Sequence, residues 1–299
     1  MKLQQFEELV ASFSKLQVCS YDAGGGNVLA HLVHAMNLKT SFVIGGPSLA
    51  IYTALFPEFP IQNSNYLHPD TDLLISSTGW QSSHEFEIME IALSRGIPVI
   101  AALDHWVNYK ERFEQNNKTI SPTYLLAFDD ESESRIRQEF QNPSVIRAQN
   151  FYMQKTLQEI RKIETQHTSK PFDFVFIGEP LSRSSENDLW TEYDAIKYFF
   201  MVLRNHGFKD AKILVKPHPS EEVSKYNEYV PNDFKYVRIE TGKELPWILA
   251  LTDTVVGCHS MALYIAELNG NKVHTALPDG IESRVPLEKA IPLTNLVQR

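Results

Sequence analysis

Short aliphatic runs alternate with stretches of helical periodicity along nearly the whole chain, and this alternation restricts the fold more than any other feature. Residues 16–21, 40–44, 72–76, 97–103 and 123–128 form such runs in the first half. Residues 172–177, 213–216, 236–239, 254–256 and 273–277 repeat the pattern in the second. Uninterrupted β-branched and aliphatic runs of this length suit strands buried on both faces. Between them, apolar residues recur at helical spacing, as in Leu3, Phe6, Leu9, Val10 and Phe13, or Ala195, Tyr198, Phe199, Val202 and Leu203, which predicts amphipathic helices. Strand and helix in strict succession give a parallel, doubly wound α/β sheet. A length of 299 residues suggests two such domains. The polar, charged segment between them, with a helix at 151–165, is the natural connection. We therefore expect one Rossmann-like domain over residues 1–150, a linker helix within 151–170, and a second Rossmann-like domain over 171–299.

Composition removes several classes of function. A net charge of −9 argues against a nucleic-acid partner, because neutralising a phosphate backbone needs a basic stripe that the chain lacks. Cys19 and Cys258 are far apart and each abuts an apolar strand, as reduced core thiols do. That usage implies a cytoplasmic setting. The first ten residues carry Glu7 and Glu8 within a helical pattern, unlike a signal peptide. No apolar run approaches the roughly 18 residues of a bilayer span. Peripheral association with a membrane surface stays compatible with the sequence. No His/Cys cluster suggests a zinc site.

Open α/β sheets bind ligands at the carboxyl ends of their strands, so the residues following each run are the candidate site. After the first strand comes Asp22-Ala23-Gly24-Gly25-Gly26-Asn27. Glycines there let a backbone approach a ligand and aim helix N–H groups at it, or else simply allow tight strand-to-helix packing. Asp22 either serves as a general base or caps the next helix. The third strand ends in Ser77-Thr78-Gly79-Trp80-Gln81-Ser82-Ser83-His84-Glu85, where hydroxyls bind an anion or sugar or cap the helix. The fourth ends in Asp104-His105-Trp106-Val107-Asn108-Tyr109-Lys110-Glu111-Arg112, with aromatic rings for stacking on a sugar and polar groups for hydrogen bonds. Asp129-Asp130 reads as a helix start. In the second half, Gly178-Glu179-Pro180 reads as a plain turn. Lys216-Pro217-His218-Pro219 places an imidazole on a stiff strand exit. Gly257-Cys258-His259-Ser260-Met261 forms a strand-to-helix junction whose N–H groups and dipole favour a phosphate. Glu267, two helical turns beyond Ser260, is placed to accept hydrogen bonds from ribose hydroxyls or to lie on a solvated face.

With both junctions in view, the chain resembles glycosyltransferases of the GT-B class, and more narrowly the bacterial CMP-sialic acid and CMP-Kdo transferases, with CDP-glycerol phosphotransferases more distant. The motifs that carry the resemblance are Lys216-Pro217-His218-Pro219-Ser220-Glu221 and the Ser260 junction about 40 residues later. The resemblance implies two Rossmann-like domains facing across a cleft, an acceptor domain first and a nucleotide-sugar donor domain second. It implies that His218, with Pro219, binds the donor phosphate and assists its departure. A pair of hydroxyl residues before a helix would hold the same phosphate, and here that pair reads His259-Ser260. The acidic motif of these transferases, two acids then glycine, has its nearest match in Asp22-Ala23-Gly24, which lacks one acid. The implied reaction is an inverting, metal-independent glycosyl transfer with no cofactor beyond the nucleotide-sugar substrate. Asp22, or Asp104 with His105, would deprotonate the acceptor hydroxyl. Gly24, Gly25, Gly26, Asn27, Lys216, Pro217, His259, Ser260, Met261 and Glu267 would hold the donor. Trp80, Trp106, Tyr109 and Arg112 would hold a glycan or lipid-linked acceptor. UDP-sugar 2-epimerases share this architecture and are the rival; a non-catalytic nucleotide-sugar-binding protein is the third reading.

Overall fold

The computed structural model describes residues 2–59, 61–62, 66–79, 82–183, 190–218 and 221–296. The chain divides into two compact units, Met1–Gln154 and Lys155–Arg299. The polar helix expected as a linker is α6 below, and the division falls inside its first turn.

In the first unit, the elements run α1 (Lys2–Ala11), β1 (Leu16–Ser20), α2 (Ala23–Ala35), β2 (Thr40–Ile44), α3 (Ser48–Leu55), β3 (Ile61–Gln62), β4 (Leu73–Ser76), α4 (His84–Ser94) and β5 (Val99–Ala102). A short antiparallel hairpin, β6 (Glu114–Gln115) and β7 (Lys118–Thr119), precedes β8 (Tyr124–Ala127), α5 (Asp130–Glu139), β9 (Ser144–Arg147) and α6 (Phe151–Gln166). The main sheet has the order β3-β2-β1-β4-β5-β8-β9, and its pairings are parallel. Successive strand residues face opposite sides, and both sides are buried. Val18, Ile75, Ile100 and Leu126 pack into one cluster with α2. Their neighbours Cys19, Leu74, Ala101 and Leu125 pack into the other with α4. That two-sided burial explains why the strands read as continuous apolar runs rather than alternating ones. Two short strands lay below the threshold of that pattern: β3, with two residues, and β9, where Ser144 and Arg147 flank only Val145 and Ile146.

The second unit holds β10 (Phe172–Ile177), α7 (Glu192–Asn205), β11 (Ile213–Lys216), β12 (Val237–Ile239), α8 (Leu245–Ala250), β13 (Thr252–Gly257), α9 (Met261–Asn269), β14 (Lys272–Thr275) and β15 (Ile291–Pro292). Its sheet has the order β12-β11-β10-β13-β14-β15, again parallel. Phe174, Phe176, Ile213, Val215 and Val256 bury one face against Ile196, Phe199, Phe200 and Leu203 of α7. Thr191 and Asp194 form a reciprocal capping box at the start of α7, satisfying two otherwise orphaned donors. Gly270 ends α9 with φ of 90°, a conformation that a Cβ would oppose. Cys19 and Cys258 are buried free thiols. Among the described residues, no helix is long and apolar enough to cross a membrane.

Each sheet grows outward from its first strand in one direction and then reverses. The reversals lie between β1 and β4 and between β10 and β13. In doubly wound sheets, ligands bind in the crevice at such a reversal, outside the carboxyl ends of the strands.

Candidate active site

At the first reversal, Asp22 follows β1 directly. It holds the position before α2 with φ −74° and ψ 147°, yet its side chain makes no cap bond to that helix. The backbone around it is held firmly instead. The Asp22 carbonyl accepts from the Gly26 N–H at 2.8 Å and from Ser48 Oγ at 2.7 Å, and the Asp22 N–H donates to Glu85 Oε1 at 3.4 Å. Two glycines show what surrounds the carboxylate. A Cβ on Gly79 would overlap the Asp22 carboxylate and approach Glu85 Oε2 at 3.2 Å; a Cβ on Gly24 would meet Asp104 Oδ2 at 2.8 Å. Asp22 and Glu85 thus meet at Gly79, and Asp104 lies against Gly24, two residues beyond Asp22.

They are held in different ways. Asp104 forms a 2.6 Å ion pair with Arg112, whose side chain is 6% exposed. The same guanidinium nitrogen reaches the Thr78 carbonyl at 2.8 Å and Thr78 Oγ1 at 2.9 Å, so Asp104 is fixed to the end of β4. Glu85, in the first turn of α4, is 1% exposed. Its Oε1 accepts from the Tyr21 N–H at 2.9 Å and lies 3.0 Å from Ser77 Oγ. Its Oε2 is buried without a hydrogen-bond partner. Burial pushes the Glu85 carboxyl up from the usual carboxylate range, and bonds to Tyr21 and Ser77 only partly oppose this.

These positions correct several expectations. Gly25 and Gly26 do not cradle a phosphate. They are buried in α2, where Gly25 admits Ser77 and Gly26 admits Ser48 and Ser20. Asn27 donates to the Ala23 carbonyl inside its own helix. Gly24 packs against Asp104 Oδ2, not against a cation. Trp106 and Tyr109, expected to stack on an acceptor, are 4% and 0% exposed. The Trp106 indole donates to the carboxylate of Asp129, the residue that caps α5. Arg112 is buried and positions Asp104 rather than offering itself to a ligand. His105, half-buried, packs edge-on to Trp106 with ring centroids 5.4 Å apart. Trp80 lies outside the described residues.

At the second reversal, β10 ends in Gly178-Glu179 and β13 ends in the junction before α9. The amides expected to receive a phosphate are taken by a side chain. Glu179 Oε1 accepts from the Cys258 and His259 N–H groups, both at 2.9 Å, and Oε2 from the His259 N–H at 2.9 Å. Burial raises the Glu179 carboxyl to about 7, against the pull of these amides. Ser260 Oγ accepts from the Ala262 N–H at 3.2 Å, capping α9. His259 Nδ1 accepts from the Arg284 N–H at 3.1 Å, which puts the proton of the neutral ring on Nε2. Met261, half-buried, opens α9.

His218 and Ser260 do not stand on neighbouring strands. Strand β10 runs between β11 and β13, so the two strand exits lie about 10 Å apart, with the Gly178-Glu179 turn between them. Pro217 is buried and His218 half-buried; the His218 N–H donates to Glu221 Oε2 at 2.9 Å. Glu221 also accepts from Tyr226 and Lys225, and Lys225 bridges to Glu192. Lys216 extends toward the Thr241 carbonyl; burial lowers its pKa, with Glu240 opposing. Pro219 and Ser220 lie outside the described residues. Glu267 is also placed differently from the ribose expectation. Its two oxygens accept from the Glu288 and Lys289 N–H groups at 2.8 and 2.7 Å, about 10 Å of helix rise from Ser260.

Sequence reasoning singled out neither Glu85 nor Glu179. The available signal was position: each stands at the reversal of its sheet, one in the first turn of a helix, the other in a strand exit.

No protein-family model matches the chain, and no curated protein matches it in sequence. Solved structures do match in fold. The UDP-GlcNAc 2-epimerase of Methanocaldococcus jannaschii, solved with UDP-GlcNAc and UDP, superposes with a TM-score of 0.61 at 11% identity, covering 93% of this chain and 88% of that one. The UDP-GlcNAc 2-epimerase of Neisseria meningitidis, bound to UDP-GlcNAc, gives 0.56 at 10% identity over 87% and 81%. An α/β-galactoside α-2,3-sialyltransferase from Photobacterium phosphoreum gives 0.51 at 11% identity over 95% and 100%. The fold is therefore GT-B-like: two Rossmann-type α/β domains in succession.

Proposed function

We propose that the protein is an enzyme acting on a nucleotide-activated sugar, with acid–base chemistry in its first unit and phosphate recognition in its second. The observation that carries this is the gathering of Asp22, Glu85 and Asp104 around Gly24 and Gly79 at the reversal of the first sheet. Asp22 is the base: its carboxylate does not cap α2, and its backbone is locked from three sides. A base positioned in this way contributes roughly 10²–10⁴-fold to a rate. In the second unit, the amides of residues 258 and 259 already hold an oxyanion, the carboxylate of Glu179. A phosphate replacing it would meet the same donors, with the helix dipole, Ser260 and His259 beside it and His218 and Lys216 across β10. One well-aimed donor of this kind lowers a barrier by roughly 3 kcal/mol.

The reaction that fits best is inverting transfer from a CMP-activated nonulosonic acid or Kdo to a hydroxyl of a glycan or lipid-linked acceptor, in the cytoplasm and without metal or cofactor. In this reading the first unit supplies the base, Asp22, for the acceptor hydroxyl, and the second supplies the groups that stabilise the departing CMP. A second reading, 2-epimerisation of a UDP-sugar, is favoured by the same carboxylate cluster. Epimerisation needs one group to remove a proton and another to return it, and Asp22 and Asp104 offer two. Release of CMP from a CMP-sugar, measured with and without glycan acceptors and with excess chelator, tests the transferase. Acceptor-dependent CMP release that Asp22→Asn abolishes supports it; conversion of UDP-GlcNAc alone to UDP and a 2-epimeric sugar replaces it with the epimerase. Binding of CMP without any turnover would leave only the non-catalytic reading.

A further inference from the structure

Four close oxygen–oxygen contacts run in a line behind Asp22. Ser48 Oγ lies 2.7 Å from the Asp22 carbonyl, Ser20 Oγ 2.8 Å from Ser48 Oγ, Ser77 Oγ 2.7 Å from Ser20 Oγ, and Glu85 Oε1 3.0 Å from Ser77 Oγ. Each contact is a hydrogen bond only if one proton lies in it, and a hydroxyl has one proton to give. The carbonyl end fixes the direction of the whole line. A carbonyl cannot donate, so Ser48 donates to Asp22. Ser20 must then donate to Ser48, and Ser77 to Ser20. No hydroxyl proton is left for the contact between Ser77 and Glu85. The missing fourth proton can come only from Glu85 itself.

We propose that Glu85 is a positioning residue that carries its proton on Oε1 and donates it to Ser77, so that Asp22 stands beside an uncharged carboxyl. An ionised Glu85 would leave one of the four contacts without a proton, as two lone-pair surfaces facing each other in a buried site. The burial of Glu85 favours the same neutral state. The Tyr21 and Asp22 N–H groups that donate to Oε1 oppose burial only in part. The titratable groups at this end of the sheet are Asp22, Cys19 and Tyr21 at the end of β1, Tyr52 on α3, His84 on α4, and the Asp104–Arg112 pair held through Thr78; among them Arg112 is already paired with a carboxylate. A neutral Glu85 spares Asp22 a second charge on the same side of Gly79. The protonation state stands on the hydroxyl geometry alone; its effect on catalysis rests on the base assigned to Asp22 above.

Infrared difference spectra of protein carrying ¹³C-labelled glutamate, wild type minus Glu85→Gln, read the state of this one carboxyl across pH. A protonated-carboxyl band that is absent from Glu85→Gln and persists above the pH at which exposed glutamates ionise is expected. Ser20→Ala removes two of the four contacts and one proton, leaving Ser48 and Ser77 enough protons for the rest. In that variant the band is expected to vanish at least one pH unit lower than in wild type. A Glu85 that ionises with the exposed glutamates, or a band that Ser20→Ala leaves unmoved, overturns the proposal. Turnover separates this result from the functional reading. Where Asp22→Asn abolishes turnover, the alkaline limb of kcat/KM shifts down in Ser20→Ala together with the band, and a limb that stays put removes the influence of Glu85 on Asp22. Turnover that survives Asp22→Asn removes the base assignment while the infrared result stands.

Discussion

The carboxyl edges of the two sheets invite comparison, because both sheets reverse next to their first strand and both place a glutamate at the reversal. In the first unit, Glu85 comes from α4 and binds the amides at the end of β1; one oxygen remains unpartnered and faces the side of Asp22. In the second, Glu179 comes from the exit of β10 and binds the amides after β13, with both oxygens engaged. The helix N-terminal residues differ in the same sense. The Asp22 side chain does not cap α2, whereas Ser260 caps α9. The first edge is rich in carboxylates and suits a ligand that donates protons. The second is rich in amides, imidazole and lysine and suits a ligand that carries negative charge. The same backbone layout supports opposite electrostatics because the strand exits, not the strands, supply the ionisable groups.

The largest expected effect is at the first edge. Arg112→Met leaves Asp104 buried without its cation, and breaking a buried pair from one side costs about 3–5 kcal/mol. A matching fall in the denaturation midpoint is the readout. A loss under 1 kcal/mol would show Asp104 to be well solvated, and the Arg112 pair would no longer set it apart from the other acids at this edge.

Next comes the second edge, where the effect depends on pH. Glu179 is raised above its unfolded value, so its contribution to stability is full below pH 4.5 and is lost as pH rises toward about 7. Wild type is expected to lose on the order of 3 kcal/mol across that window relative to Glu179→Gln. Urea titrations at pH 4, 6 and 8 measure it. A pH-independent difference would mean that the carboxylate is already well satisfied by the amides of 258 and 259. The same variant tests the phosphate assignment: without the resident charge, CMP is expected to bind more tightly at pH 8.

Close packing gives a smaller effect. Gly26→Ala drives a methyl into Ser48 Oγ and Ser20 Oγ, and overpacking of this kind costs about 1–3 kcal/mol. Gly96→Ala, where nothing lies within 4 Å but φ is positive, provides the control for backbone strain alone. Smallest is Ser260→Ala. Losing the cap costs about 1 kcal/mol as a lowered midpoint, whereas Asp22→Ala, at the equivalent place in the first unit, is expected to change stability by less. Equal losses from the two would erase the distinction between capping serine and non-capping aspartate.

Aliphatic runs on both sides of residue 154 were legible as strands because burial on both faces leaves no polar alternation to hide them. Asp22 and the 257–261 junction were legible as strand-to-helix junctions, because an apolar run gives way there to small and polar residues. Aromatic identity misled at Trp106 and Tyr109, since a ring that stacks on a sugar and a ring that fills a core have the same composition. Glu85 was hidden in another way. A glutamate in the first turn of a helix complements the dipole in any protein, and nothing near it in sequence announces a bond to Tyr21, 64 residues earlier.

The order of apolar runs by itself determined the class of fold, because hydrophobic periodicity is a local property that burial imposes residue by residue. Which carboxylate would be charged, neutral, paired or engaged with amides was decided only in the tertiary structure. Strand order brings β1 beside β4 and β10 beside β13, and a carboxyl's state follows from the amides, hydroxyls and charges that such neighbours place around it.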